Sequence, residues 1–220
     1  MKRLRPLPST DSRVKDPMFT FRDAALYLDV KVATLHHWAH PNRGEPLITT
    51  LRDQSPSLPF IGFAEAFVIK AAKNAGVPDH RIRPGVEAIR ERAGDINHAL
   101  ASELVWVDGA EILWGVAGDD PEVARSGQRA FREAIKGNLR LVKYGDDGFA
   151  KNLVLPKYED LGVRVTVNPY VAGGMPIIRS GIGVRVKDVL DLVRAGDSPE
   201  QVARSFRIPV KEVEEVIGNA

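Results

Sequence analysis

Cysteine is absent from this 220-residue chain, which excludes disulfides, thiolate metal sites and a cysteine nucleophile together. No segment approaches the roughly 18 uninterrupted apolar residues of a membrane span. The basic start, Met1 to Pro8, lacks the apolar core of a secretory signal, so a cytoplasmic location is the default expectation. Internal repeats, low-complexity tracts and a phosphate loop are missing, as is a Ser/His/Asp order. Gly181 and Gly183 do not continue into the longer glycine pattern of a dinucleotide site and read as tight turns. Asp119-Asp120 and Asp146-Asp147 are paired carboxylates at turn or cap positions, where Asp is favoured without chemistry. No enzymatic activity, cofactor or metal is expected.

What is present is an ordinary globular balance, 44% hydrophobic and 27% charged, in a chain long enough for one large domain or two to three small ones. The net charge of +2 is unevenly spread. Residues 1–93 carry 15 Lys/Arg against 10 Asp/Glu, residues 94–160 carry 8 against 12, and residues 161–220 carry 8 against 7. The basic surplus falls where a polyanion would be met.

Residues 1–18 show no apolar periodicity and read as a flexible arm. Thr20 with Asp23 forms a capping box ahead of Ala24, Ala25 and Leu28. Val32 to His40 reads as a second helix stopped by Pro41. Leu47–Leu51 and Leu58–Ile61 read as two strands joined by a polar tip. Helices are expected over Phe63–Ala75 and Pro78–Ala93, the latter bent or divided at Pro84 and Gly85. In the middle, Leu104–Val107 and Glu111–Trp114 flank Asp108-Gly109 as a hairpin, with Trp106 and Trp114 expected in core packing. A helix follows from Pro121 to about Lys136, then a second hairpin around Gly145-Asp146-Asp147-Gly148. Val163–Val167 alternates as a half-buried strand. Helices close the chain at Val184–Ala195, from the capping box Ser198-Pro199-Glu200-Gln201 to about Phe206, and at Val210–Ile217.

A helix-turn-helix needs a small residue where its helices cross, a tight apolar turn and a second helix with an outer polar face. Ala24 or Ala25 permits the crossing, while Leu28, Val30, Leu35 and Trp38 form the small core. Lys31, Thr34, His36 and His37 are left for the outer, groove-facing side. Arg22 and Arg43, beside the two helices, complete a basic candidate set for DNA. The run from Phe19 through Thr34-Leu35-His36-His37-Trp38, with the hairpin and two later helices, resembles the MerR-type DNA-binding domain over residues 19–92. The resemblance implies that the same four residues approach the major groove and that Arg52 and Gln54 on a wing tip approach the phosphate backbone. It departs at His36, where an Arg is usual. A packing or protein-binding winged helix is the alternative. His36 and His40 share a helical face, but no Glu or Cys accompanies them as in known zinc sites, and DNA-facing or surface histidines are preferred.

Ser198 to Ile217 forms a second helix-turn-helix pattern. Its last helix carries Lys211 against Glu212, Glu214 and Glu215, a charge penalised among phosphates, so a protein-interaction module is expected. Asn168-Pro169, Gly173-Gly174, Pro176-Ile177 and Gly196-x-Ser198-Pro199-Glu200 resemble a small bacterial antitoxin domain, long catalogued as a domain of unknown function, that accompanies PIN-like toxins. It departs at Ser180-Gly181-Ile182-Gly183, where a Gly-Thr-Arg is usual.

The expected fold class is α+β, mainly helical. A flexible arm (1–18) precedes a winged helix-turn-helix (19–93), a middle segment with two hairpins (94–160) and a three-helix, helix-turn-helix-like C-terminal domain (161–220). Together the two resemblances point to the VapB-type antitoxins of toxin–antitoxin pairs. They imply an antitoxin and autorepressor that binds operator DNA as a homodimer and holds a PIN-domain ribonuclease toxin. The alternatives are a MerR-like regulator with a small-molecule effector site in the middle segment, and a scaffold that uses both helix-turn-helix units for protein contacts.

Overall fold

The structure, a computed structural model, describes residues 4–52, 55, 57–159, 162–180 and 183–219. It is α+β and mainly helical, and it divides into two compact units, Met1–Lys151 and Asn152–Ala220.

The first unit is organised around one helix. Helix α4 (Phe60–Asn74) buries twelve of its fifteen residues, because Phe60-Ile-Gly-Phe-Ala and Ala-Phe-Val-Ile are apolar on nearly every face; a helix apolar all round belongs inside. Against it pack α1 (Ser12–Lys15), α2 (Phe21–Leu28), α5 (Asp79–Ala93), the short 3₁₀ turn Ala99–Ala101 and α8 (Gln128–Leu139). Helix α3 (Val32–Ala39) lies on α2, and α6 (Ala110–Ala117) lies on α5 and α8. The segment after α5 therefore shares the core of the helix-turn-helix. Glu65 is the one buried carboxylate described on α4. Its Oε2 accepts from the Thr49 backbone N–H at 2.6 Å, and its Oε1 lies 3.4 Å from His98 Nδ1.

Several sequence expectations are overturned by long-range packing. Described residues of the expected N-terminal arm are docked. Leu7 is 4% exposed, and the Asn97 side chain clamps its backbone, accepting from Leu7 N–H at 2.7 Å and donating to Leu7 O at 2.9 Å. Arg13, also 4% exposed, donates to Asp11 at 2.9 and 3.0 Å, to the Ala150 carbonyl at 3.3 Å and to both oxygens of Asp147. The two wing strands are not formed among the described residues. Leu51 N–H donates to Ser57 O at 2.7 Å to close the loop, Leu58 bridges Phe19, and α4 already begins at Phe60. The hairpin expected around Asp108-Gly109 is helical instead: a π-helical turn (Val105–Gly109) runs into α6. Burial of Ala110, Leu113 and Ala117 on one side of α6 favours the helical period. Trp114 packs edge-on against Phe131 at 5.5 Å, whereas Trp106 stands 38% exposed rather than in the core. Helix α5 stays undivided with Pro84 inside it. The helix expected from Pro121 to about Lys136 is split at Gly127, whose φ of +74° no helix tolerates, into α7 (Pro121–Ser126) and α8.

The second expected hairpin forms: β1 (Val142–Tyr144) and β2 (Ala150–Val154) flank Gly145–Gly148, with Gly145 N–H donating to Phe149 O at 2.8 Å. β2 straddles the unit boundary. In the second unit, after α9 (Pro156–Glu159), an antiparallel meander continues through β3 (Val165–Val167), β4 (Ile177–Ile178) and β5 (Val184–Arg185). Its register sets Leu153 opposite Val167, Val165 opposite Ile178 and Ile178 opposite Val184. All three residues of β3 are buried, so the strand is covered on both faces rather than half-buried. Helices α10 (Val186–Arg194), α11 (Pro199–Phe206) and α12 (Val210–Gly218) complete the unit. α11 opens on the expected box, with the Ser198 hydroxyl accepting from Gln201 N–H and Gln201 Oε1 accepting from Ser198 N–H.

Candidate nucleic-acid interface

The helix-turn-helix is built locally. Thr20 Oγ1 accepts from Asp23 N–H at 3.1 Å and Asp23 Oδ2 accepts from Thr20 N–H at 3.2 Å, closing the box that starts α2. Asp29 ends α2 in the left-handed region at φ 50°, and Val30 N–H returns to Ala25 O at 3.0 Å, so the chain turns sharply. Ala24, Ala25, Leu28, Leu35, Trp38 and Ala39 are buried, Val30 is half-buried, and α2 packs on both α3 and α4. One edge of α3 is thereby consumed by packing, and the rest faces outward.

On that outward surface Lys31 is exposed at the N-cap, followed by exposed His36 and His37 and half-buried Thr34. The structure separates these residues into two groups. Thr34 and His37, three apart on one helical edge, line a cleft of about 370 Å³ with a Trp38, Leu47 and Ile82 floor and Lys73, Asp79 and Arg83 at its sides. His36 turns to the opposite edge and stacks on Phe21 at 4.3 Å, with His40 6.2 Å away. Arg22 is exposed in the first turn of α2. Arg43 and Arg52 are exposed in the loops after α3, and Gln54 lies outside the described residues.

Two basic residues at this cleft were not singled out by sequence reading. Lys73 closes α4 and pairs with Asp79 at 2.5 Å. Arg83, in α5, donates through Nη1 to Glu45 O at 2.9 Å, while its Nη2 is buried without a partner. They lie far from α3 in sequence, and only the basic surplus of residues 1–93 hinted at them. Arg90 donates to Pro46 O at 2.8 Å and Leu47 O at 3.2 Å, so α5 fixes the loop that carries Arg43. No helix among the described residues is long and apolar enough to cross a membrane, and no described cluster of three or more His, Cys, Asp or Glu is arranged to hold a metal.

A helix pair opened by a capping box on a buried support, with an outward polar edge on its second helix, is the geometry of a helix-turn-helix protein. Residues 17–86 match a family described as "Putative DNA-binding HTH domain", and residues 165–218 match "Protein of unknown function (DUF433)". A relative from Mycobacterium tuberculosis, "Putative antitoxin VapB45", is 35% identical over 226 residues, covering 91% of this chain and 92% of the relative. The crystal structure of Rv2018 from Mycobacterium tuberculosis is similar with a TM-score of 0.74 at 34% identity, covering 93% of this chain and 99% of that one. The chain belongs to the VapB antitoxin family.

Proposed function

We propose that this protein is the antitoxin and transcriptional autorepressor of a type II toxin–antitoxin system: as a homodimer it binds operator DNA and it neutralises a PIN-domain ribonuclease toxin. The observation that carries the reading is the outward edge of α3 in a helix-turn-helix, in a chain similar along nearly its whole length to an antitoxin. In this reading Lys31, Thr34 and His37 enter the major groove. Arg22, Arg43, Arg52 and Gln54 meet phosphates, joined by Arg83 and Lys73 at the cleft side. His36, held flat by Phe21, contacts the groove edge on the other side. No catalytic group is assigned, and the protein acts by binding.

The test is operator binding across a salt series. Lys31→Ala with His37→Ala is expected to weaken binding and to lower the slope of log K against log salt by about 1 for the lost lysine contact. Unchanged affinity and slope would remove α3 from the interface. Footprints with half-sites separated by whole helical turns are expected of a dimer. A second reading, a small-molecule effector for the same DNA-binding unit, is favoured by a cleft of about 1280 Å³ that includes Leu7, Ile96 and Phe149. A change of operator affinity in either direction on adding purified toxin supports the first reading; a change only with low-mass metabolites supports the second.

A further inference from the structure

In the second unit the β3–β4 hairpin carries two features that its own folding does not require. Strand residues Val165, Val167, Ile177 and Ile178 are buried, yet the connection between the strands presents Tyr170 57% exposed and Val171 40% exposed. The connection is fastened. Asn168 Oδ1 accepts from Tyr170 N–H at 2.9 Å, Asn168 O from Val171 N–H at 3.1 Å, and Val171 O from Gly174 N–H at 2.9 Å. Ala172 is held at φ +53° beside Gly173 at φ +63°, a conformation costly for a residue with a Cβ and typical of places where strain serves a site. An apolar pair on an ordered tip loses little freedom when it docks.

At the other end of the hairpin, Arg179 N–H donates to Arg164 O at 2.9 Å, one step beyond the Val165–Ile178 pair, so the two arginines stand directly opposite each other. Both are exposed. Like charges placed opposite on paired strands repel. The neighbouring cations are neutralised, Arg185 by Asp188 at 2.8 Å and Lys187 by Asp191. Among the described residues Arg164 and Arg179 have no such carboxylate. Two arginines set opposite each other on exposed positions suit carboxylates supplied from outside, which guanidinium groups bind bidentately.

We propose that the β3–β4 hairpin is the surface that holds the partner protein, and that the partner offers an apolar pocket to Tyr170 and Val171 beside carboxylates that meet Arg164 and Arg179. This rests on the antitoxin reading and gives it a location. A three-residue strand spans about 10 Å, so both ends fit within one footprint of about 800 Å² per partner.

The test uses the full chain co-expressed with the product of the neighbouring reading frame. Tyr170→Ala/Val171→Ala and Arg164→Glu/Arg179→Glu are each expected to weaken that complex by about tenfold or more, the charge reversal chiefly through slower association at low salt. Operator binding and the circular-dichroism melt should be unchanged. If the reversed pair destabilises the fold, Arg164→Gln/Arg179→Gln replaces it. Unaltered capture by both variants overturns the proposal. So does a loss of operator affinity on arginine reversal, which would assign the pair to phosphates, and so does a change in oligomeric state without partner, which would assign the hairpin to a second copy. If the wild-type chain captures nothing, the antitoxin reading fails and the docking surface with it. If wild-type capture stands and the variants match it, only the surface is wrong.

Discussion

Replacing Arg13 by Met keeps most of the side-chain bulk and removes the charge that joins the N-terminal segment to the β1–β2 hairpin. Arg13 is almost fully buried and bonds Asp11, Asp147 and the Ala150 carbonyl. Breaking a buried ion pair by removing one partner costs about 3–5 kcal/mol. Here Asp147 keeps 43% of its side chain in water and Asp11 keeps 19%, so solvent screens part of the loss and about 2–3 kcal/mol is expected. With a urea m value of about 2 kcal/mol/M, the midpoint should fall by about 1–1.5 M. Tryptophan fluorescence is the suitable probe, because Trp38, Trp106 and Trp114, the only three tryptophans, all lie in the first unit. The pH dependence adds a second check. The Arg13 hydrogen bond holds the Asp11 carboxyl below the usual range. Partial burial pushes Asp147 up, but the Arg13 bonds and the Phe149 N–H outweigh it and hold it low as well. A carboxyl lowered on folding stabilises fully above its unfolded value of about 3.9 and stops doing so as pH falls through the folded value. The gap between wild type and variant should therefore be widest near neutrality and close below about pH 4. A midpoint change worth less than about 0.5 kcal/mol, the usual range for exposed sites, would restore the flexible-arm reading, and a gap independent of pH would refute the charge argument.

Gly62→Ala should cost the first unit about 2–4 kcal/mol, because the new Cβ would overlap the Thr49 carbonyl oxygen and meet Leu58 Cδ1 at 2.9 Å; a fluorescence midpoint matching wild type would show that α4 does not press on that loop. Tyr158→Phe in the second unit is expected to be neutral or to stabilise by up to about 1 kcal/mol, since the buried hydroxyl has no partner. Burial also pushes the Tyr158 phenol up to about 12, above an unfolded value of about 10, so wild type should lose stability as pH rises past 10 while the variant is spared that part. Urea titrations followed by circular dichroism at pH 7 and 10.5 compare them, and a substantial loss at pH 7 would mean that the hydroxyl is bonded.

Features that span a few residues were legible in the sequence. The boxes Thr20–Asp23 and Ser198–Gln201 and the turn Gly145–Gly148 formed where expected, because each is closed by bonds between residues three or four apart. Of the expected helix-turn-helix core, Leu28, Leu35 and Trp38 are buried while Val30 is only half-buried, and α3 exposes Lys31, His36 and His37. Less was legible wherever the decisive partner was distant. Asp108-Gly109 signals a hairpin by itself, but the burial of Leu113 and Ala117 makes the surrounding run helical. Leu47–Leu51 and Leu58–Ile61 are apolar enough to read as short strands, yet the apolar run from Phe60 is worth more as the buried core of a helix.

Local sequence was enough to place a helix pair opened by a capping box near the start, to rule out cysteine chemistry, and to close the chain with a helical module. Folding alone brings Leu7 to Asn97 and Arg13 to Asp147, sets Arg83 and Lys73 beside Thr34 and His37, and places Arg164 opposite Arg179 across β3 and β4. The reason is physical: caps and turns are satisfied within one stretch of chain, whereas burial, ion pairing and strand register depend on groups that only folding brings together.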